Sequence, residues 1–174
     1  VEEEAIRTTG EAIDLQQTFV RMLDGGDRAC AMEVSSHALD LGRADGITFA
    51  VKLFTNLTQD HLDFHPDMEA YYLAKRRLFD QPGPAVVNVD DGYGVRLAGE
   101  LGDATTFALE GGSEDADYTA RDIRFDVTGA VFTVDTPDGA VGMTTRLPGR
   151  FNVSNALAAF TAARVLGIEA EVAA

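Results

Sequence analysis

The sequence predicts an α/β fold: a largely parallel, helix-covered sheet that carries a small antiparallel β subdomain near residues 117–146. Two patterns predict it. Between residues 29 and 109, short apolar runs bounded by turn residues alternate with amphipathic stretches, the order expected of strands and crossover helices in a parallel sheet. From Tyr118 to Arg146 apolar residues recur at every second position, interrupted by Thr128-Gly129 and Pro137-Asp138-Gly139, which marks antiparallel hairpins. The 174 residues, 45% apolar and 25% charged, are enough for one folded unit with a sizeable core.

Each element follows in turn. Val1 to Glu4 is short and acidic, and Ile6 with Thr8-Thr9 fits the end of a strand or a connecting segment. Ala12, Ile13, Leu15, Phe19, Val20, Met22 and Leu23 recur at three- and four-residue steps, predicting an amphipathic helix that Asp24-Gly25-Gly26-Asp27 stops. Ala29 to Val34 reads as a strand buried on both faces, with Glu33 near its carboxyl end. Ser35-Ser36-His37 offers hydroxyl caps to a short helix that Gly42 ends. Ile47 to Thr55, β-branched and aromatic, predicts the next strand.

Pro66-Asp67-Met68 opens a helix packed through Tyr71, Tyr72, Ala74, Leu78 and Phe79, with Lys75 in its last turns, and Pro82-Gly83-Pro84 breaks it. Ala85 to Val89 predicts a buried strand followed by Asp90-Asp91. Val95 to Leu101 predicts a short helix and Thr105 to Leu109 a further strand. The hairpin strands are Tyr118 to Val127, Ala130 to Asp135 and Val141 to Arg146. Leu147 to Asn155 then leads into an Ala-rich helix from about Asn155 to Leu166. The chain thus divides into a parallel part, 1–110, an antiparallel part, 111–146, and a closing loop and helix, 147–174.

Composition excludes several function classes. A formal net charge of −15 opposes a nucleic-acid backbone or an anionic membrane, since either adds repulsion. A phosphate-bearing substrate would need metal ions to screen it. Cys30 is the only cysteine and falls in a predicted buried strand, so a disulfide framework or cysteine-based zinc site is excluded. No apolar stretch reaches the length of a membrane span and no basic-then-apolar leader opens the chain, so a cytoplasmic protein is expected.

The chemistry centres on Thr55-Asn56-Leu57-Thr58-Gln59-Asp60-His61-Leu62-Asp63-Phe64-His65, too polar for a core strand and delivered at a predicted strand's carboxyl end, where ligands gather in open α/β sheets. In such a sheet Glu33, Asp60, His61, Asp90 and Asp91 could converge on one edge as an oxygen- and imidazole-lined divalent cation site. Taken singly, Glu33 also fits a helix cap or an arginine partner, His61, His37 and His65 fit structural histidines, and Asp90-Asp91 fits a turn. No nucleophile-elbow glycine pattern surrounds Ser35 or Ser36, which argues against a Ser-His-Asp triad. Lys75 is one of two lysines. Beside apolar side chains it fits a snorkelling lysine, or a desolvated amine that adds carbon dioxide and becomes an anionic carbamate able to bind metal.

Four strings carry a resemblance: Glu33-Val34-Ser35-Ser36-His37-Ala38-Leu39, Phe54 to His65, Met68-Glu69-Ala70-Tyr71 with Lys75, and Gly149-Arg150-Phe151-Asn152-Val153-Ser154-Asn155. In content and order they resemble the central, ATP-binding domain of the Mur ligases, most closely the branch that adds the third amino acid of the peptidoglycan stem peptide. The resemblance implies an amide-forming ligase in which ATP phosphorylates the carboxylate of a UDP-N-acetylmuramoyl-dipeptide and an incoming amino acid attacks the acyl phosphate. It implies that Glu33, His61 and carbamylated Lys75 hold Mg2+ as the catalytic constellation. Thr8, Thr9, Ser35 and Arg43 match substrate-binding positions, and Asn152 and Asn155 match nucleotide-binding ones. Related folylpolyglutamate or cyanophycin-type ligases, and a non-catalytic domain keeping only the nucleotide edge, are the alternatives.

Three departures stand out. Leu41 occupies a position where the family often has glutamine, and Gly10 follows the Thr-Thr pair where proline is common. No Gly-Lys dipeptide occurs, so the phosphate loop, which in the family lies upstream of the matched region, is absent from these residues. The amino-terminal UDP-binding domain and the carboxyl-terminal domain that selects the amino acid are lacking as well. A fragment is expected, inactive by itself, whose partners include the remainder of the same ligase chain.

Overall fold

The computed structural model describes residues 8–59 and 64–174. These residues fall into two compact units, one within the bounds Val1–Thr48 and Gln59–Gln81, the other Phe49–Thr58 with Pro82–Ala174. Each is built on its own logic.

The first unit is helical. Helix α1, Ala12–Asp24, forms where the sequence predicts it, and Gly26 (φ 93°) turns the chain after it. None of its residues is buried, and Ile13 and Leu23 are 73% and 69% exposed. Its apolar stripe is therefore present but uncovered among the described residues. Helix α2, Ser36–Asp40, starts at Ser35, whose Oγ accepts from the Ala38 amide at 3.2 Å. Asp67 caps helix α3, Met68–Arg76, in the same way through Ala70 at 2.8 Å. A single 3-10 turn, Arg77–Asp80, extends it. Tyr71, Tyr72, Ala74, Leu78 and Phe79 are all buried as expected, and α3 packs against α2.

The strand predicted at Ala29 to Val34 does not form. These residues have no ladder partner among the described residues, and Cys30 is exposed rather than buried. An apolar run becomes a strand only when neighbours satisfy its backbone groups. Glu33 consequently does not end a strand.

The second unit is a six-stranded sheet in sequential order: β1 Lys52–Phe54, β2 Ala85–Asn88, β3 Thr105–Leu109, β4 Tyr118–Asp126, β5 Gly129–Thr136 and β6 Gly139–Thr145. β1 to β4 pair in parallel, and β4, β5 and β6 pair antiparallel, so the antiparallel part continues the same sheet. β1 is shorter than predicted, because only residues 52–54 lie alongside β2. All four residues of β2 are buried, as the unbroken apolar run requires.

Helix α4, Gly92–Leu101, links β2 to β3 and begins three residues before the predicted start. Asp91 caps it, accepting from the amides of Tyr93 and Gly94 at 2.8 and 3.0 Å. Gly94 is required there, since a Cβ would collide with the Asn88 carbonyl. Helix α5, Arg150–Val165, covers the sheet through Val153, Leu157, Ala158, Phe160 and Thr161. It begins five residues earlier than expected because the buried face needs Val153 one turn before Leu157. A final turn, α6, spans Ala170–Ala173. The core joins Val86, Phe107, Ala120, Phe132 and Val134 of the sheet to Val153, Leu157 and Phe160 of α5.

Candidate functional site

In the first unit a compact polar cluster forms around the start of α2. The buried hydroxyl of Thr9 donates to the Glu33 carbonyl at 2.9 Å and accepts from the Ser35 amide at 3.0 Å. It also lies 3.4 Å from Ser35 Oγ. Arg43 reaches back to the same point: Nη1 donates to the Thr9 carbonyl at 3.4 Å, and Nη2 pairs with Glu11 at 3.1 Å. Its side chain is only 11% exposed, and its Nε is buried with no hydrogen-bond partner among the described residues. Three residues predicted to share a substrate, Thr9, Ser35 and Arg43, are thus brought together across 34 positions of sequence. Thr8 is exposed next to them.

Beside this cluster Ser36 Oγ lies 2.9 Å from His65 Nε2, and the His65 ring stacks on Tyr71 with centroids 5.1 Å apart. Lys75 Nζ lies 5.4 Å from the centroid of Tyr71, and the His37 and Phe64 rings are 3.9 Å apart. His65 is therefore buried and packed, and half-buried His37 is packed against Phe64, in keeping with the structural role expected of both. The Glu33 side chain is exposed and Lys75 is half-buried. His61 and Asp60 lie outside the described residues.

In the second unit the carboxyl edge of the sheet is closed by its own side chains. Asn88 Nδ2 donates to the Thr55 carbonyl at 2.7 Å, and Asp91 Oδ2 accepts from the Leu57 amide at 3.4 Å. Asp90 takes the Leu109 amide on both carboxylate oxygens at 3.1 and 3.2 Å. Burial pushes the Asp90 carboxyl above the usual range and Asp91 adds to this; the Leu109 amide and the Arg150 guanidinium pull it back. Asp90 and Asp91 do lie just beyond a strand end, but the strand–helix turn uses them.

Asn152 and Asn155 stand three residues apart at the start of α5, hence on one side of the helix. Asn152 Nδ2 donates to the Pro148 carbonyl at 2.7 Å, and Asn155 is exposed. Arg150, which residue-level reading left without a role, donates to the Glu110 carbonyl at 3.0 Å and faces Asp90. The signal for it was its place inside the Gly149 to Asn155 string.

Among the described residues no three His, Cys, Asp or Glu side chains are arranged to hold a metal. The exposed carboxylate of Glu33 has the oxygen chemistry that Mg2+ prefers, and an imidazole or a carbamate would complement it. No described helix is long and apolar enough to cross a membrane.

Residues 2–163 match the Mur ligase middle domain. The UDP-N-acetylmuramoyl-L-alanyl-D-glutamate–2,6-diaminopimelate ligase of Synechococcus elongatus is 47% identical over 97% of the chain and 34% of its own length. The Streptomyces avermitilis protein of the same name is 45% identical over 97% of the chain and 34% of its length. A solved structure of such a ligase superposes with a TM-score of 0.86 at 31% identity, covering 95% of this chain and 35% of that one. The chain spans about a third of the length of the curated relatives it matches. With this fold and a match to the middle domain from residue 2 to residue 163, the chain belongs to the Mur ligase family.

Proposed function

We propose that this chain is part of an ATP-dependent ligase that joins 2,6-diaminopimelate to the glutamate carboxylate of UDP-N-acetylmuramoyl-L-alanyl-D-glutamate during peptidoglycan synthesis in the cytoplasm. The observation that carries the reading is the Thr9–Ser35–Arg43 cluster. It gathers hydroxyls and a guanidinium, the donors suited to the carboxylate and pyrophosphate oxygens of such a substrate.

The residues divide into two roles. Arg43, Ser35 and Thr8 bind the anionic oxygens of the muramoyl substrate, and Thr9 fixes Ser35 through the backbone. Asn152 and Asn155, with residues 147–174 around them, form the nucleotide edge, where side-chain amides read an adenine. Glu33, His61 and carbamylated Lys75 would hold Mg2+, which supplies charge neutralisation on the phosphoryl oxygens being transferred. The reaction runs through an acyl phosphate: the substrate carboxylate displaces ADP at the γ-phosphorus, and the amine then forms the amide bond and expels phosphate. Residues 1–174 constitute part of the central domain, and the remainder of the ligase chain completes the site.

The test is ADP release by the full-length enzyme with purified substrates. Turnover that requires both the UDP-muramoyl-dipeptide and diaminopimelate is expected, with none from the 174-residue chain by itself. Full-length turnover with a folate or aspartate polymer instead, or turnover by these residues unaided, would overturn the reading.

A further inference from the structure

Helix α5 starts at Gly149 (φ 104°), and among the described residues no side chain caps it. Its first two turns carry Asn152 and Asn155, so other contacts must fix the direction of these amides. Two hydrogen bonds do. Asn152 Nδ2 donates to the Pro148 carbonyl at 2.7 Å, within the turn itself. Arg150 Nη2 donates to the Glu110 carbonyl at 3.0 Å, across 40 positions of sequence, and ties the helix start to the end of β3. That end is firmly held. The Glu110 amide donates to the Ala120 carbonyl at 2.8 Å, and its Oε2 accepts from the Asp122 amide at 2.9 Å. Asp90, following β2, takes the adjacent Leu109 amide on both carboxylate oxygens. Gly112 packs so closely on Asp90 that a Cβ there would collide with Oδ1. Burial raises the Asp90 pKa, and the Leu109 amide and the Arg150 guanidinium draw it back, so the charges of Arg150 and Asp90 attract.

We propose that Arg150, braced by Asp90, is a positioning residue for nucleotide binding: it holds the start of α5 against the end of β3, so that Asn152 and Asn155 meet the nucleotide in one fixed orientation. The inference rests on the reading of those two asparagines as the nucleotide edge. Arg150 and Asp90 act on the nucleotide through α5 and not by touching it. An uncapped, untethered turn frays, and it loses that freedom each time a ligand demands a single geometry. A turn tied to the sheet has lost it on folding. The tether therefore favours nucleotide affinity and leaves the chemical step alone.

Steady-state kinetics of the full-length enzyme test this. Arg150→Ala should raise KM for ATP about tenfold, the loss expected for one charge-assisted hydrogen bond, with kcat and KM for the UDP-muramoyl-dipeptide unchanged. Arg150 is exposed, so the variant should fold, which circular dichroism checks. Arg150→Lys keeps a charged donor and should recover most of the loss. Asp90→Asn keeps an acceptor for the Leu109 amide but removes the charge, and should raise KM for ATP by a smaller factor. In the Arg150→Ala background it should add nothing, because it acts through Arg150. If Asp90→Asn has no effect, or one that adds in full to that of Arg150→Ala, the pair does not work as a unit and the proposal is overturned. Equal changes in both KM values overturn it as well. Asn155→Ala separates the tether from the reading beneath it. If that variant raises KM for ATP and Arg150→Ala does not, the tether fails and the nucleotide edge stands; if neither does, both fail.

Discussion

His65 Nε2 lies 2.9 Å from Ser36 Oγ, and both residues are buried. The bond ties the start of α2 to the segment leading into α3, and the same imidazole stacks on Tyr71. A serine and histidine this deep hold the unit together rather than attack a substrate. Ser36→Ala removes this buried hydrogen bond and should destabilise by about 0.5–1.5 kcal/mol. Urea unfolding reads this as a lower midpoint at unchanged slope. An unchanged midpoint would mean that the pair contributes nothing.

Two glycines of α4 should respond in opposite directions to the same substitution. Gly94→Ala drives a methyl group into the Asn88 carbonyl, and backbone cannot swing aside as a side chain can. A loss of about 1–3 kcal/mol or more is expected. Gly99 is an exposed helix-interior position with nothing within 4 Å, so Gly99→Ala should stabilise by about 0.5–1 kcal/mol. Thermal unfolding of the two variants side by side checks both signs.

Much of this fold was legible in the sequence, for reasons visible in particular residues. The helix at α3 announced itself through Asp67 and its apolar spacing, and β2 through an unbroken apolar run. The start of α5 was hidden. Asn152, Ser154 and Asn155 are better caps than interior residues, and only the tertiary demand for a buried Val153 carries the helix back to Arg150. The failed strand at Ala29 to Val34 shows the other limit, since pairing belongs to neighbours and not to the run itself. At the candidate site, motifs pointed to Thr9, Ser35 and Arg43 together, whereas no local pattern reveals that Thr9 spends its hydroxyl on the backbone.

Asp90 and Asp126 should titrate on opposite sides of an ordinary aspartate. Burial raises Asp90, while the hydroxyl and amide of Thr128 lower Asp126. A raised folded-state pKa means that the folded chain binds the proton more readily than the unfolded one. Through Asp90, stability therefore falls as pH rises from the unfolded value through the folded one. For Asp126 the stabilisation is present above the unfolded value and is lost as pH falls through the depressed folded value. Carboxyl NMR titration measures both, and Asp90→Asn should remove the Asp90 part of the pH dependence of unfolding. Two coincident titrations would contradict this account.

In the full-length enzyme Arg43 and Asn155 should separate the two substrates kinetically. Arg43→Ala removes a guanidinium from the Thr9–Ser35 cluster and should raise KM for the UDP-muramoyl-dipeptide by about 10- to 100-fold, the range for a charge-assisted hydrogen bond. Asn155→Ala should raise KM for ATP and leave the other KM unchanged. Since Arg43 also pairs with Glu11, its variant needs a folding control by circular dichroism. Equal effects of either variant on both constants would remove the division between a substrate cluster and a nucleotide edge.

Lys75 is the residue on which the proposed metal site turns. Its ammonium lies over the face of Tyr71, an arrangement that favours the charged amine. Carbamylation needs the neutral amine: nitrogen attacks carbon dioxide, a carbon–nitrogen bond forms, and a proton leaves to solvent. The two states compete for one nitrogen. With magnesium and bicarbonate present, a native mass spectrum of the full-length enzyme should carry the mass of one carbon dioxide, lost on acidification and absent from Lys75→Arg. If the adduct forms on the full-length enzyme but not on the 174-residue chain, the remainder of the ligase assembles the site. Its absence from both would leave Lys75 as a snorkelling lysine over an aromatic ring, and the metal would have to be held by other residues.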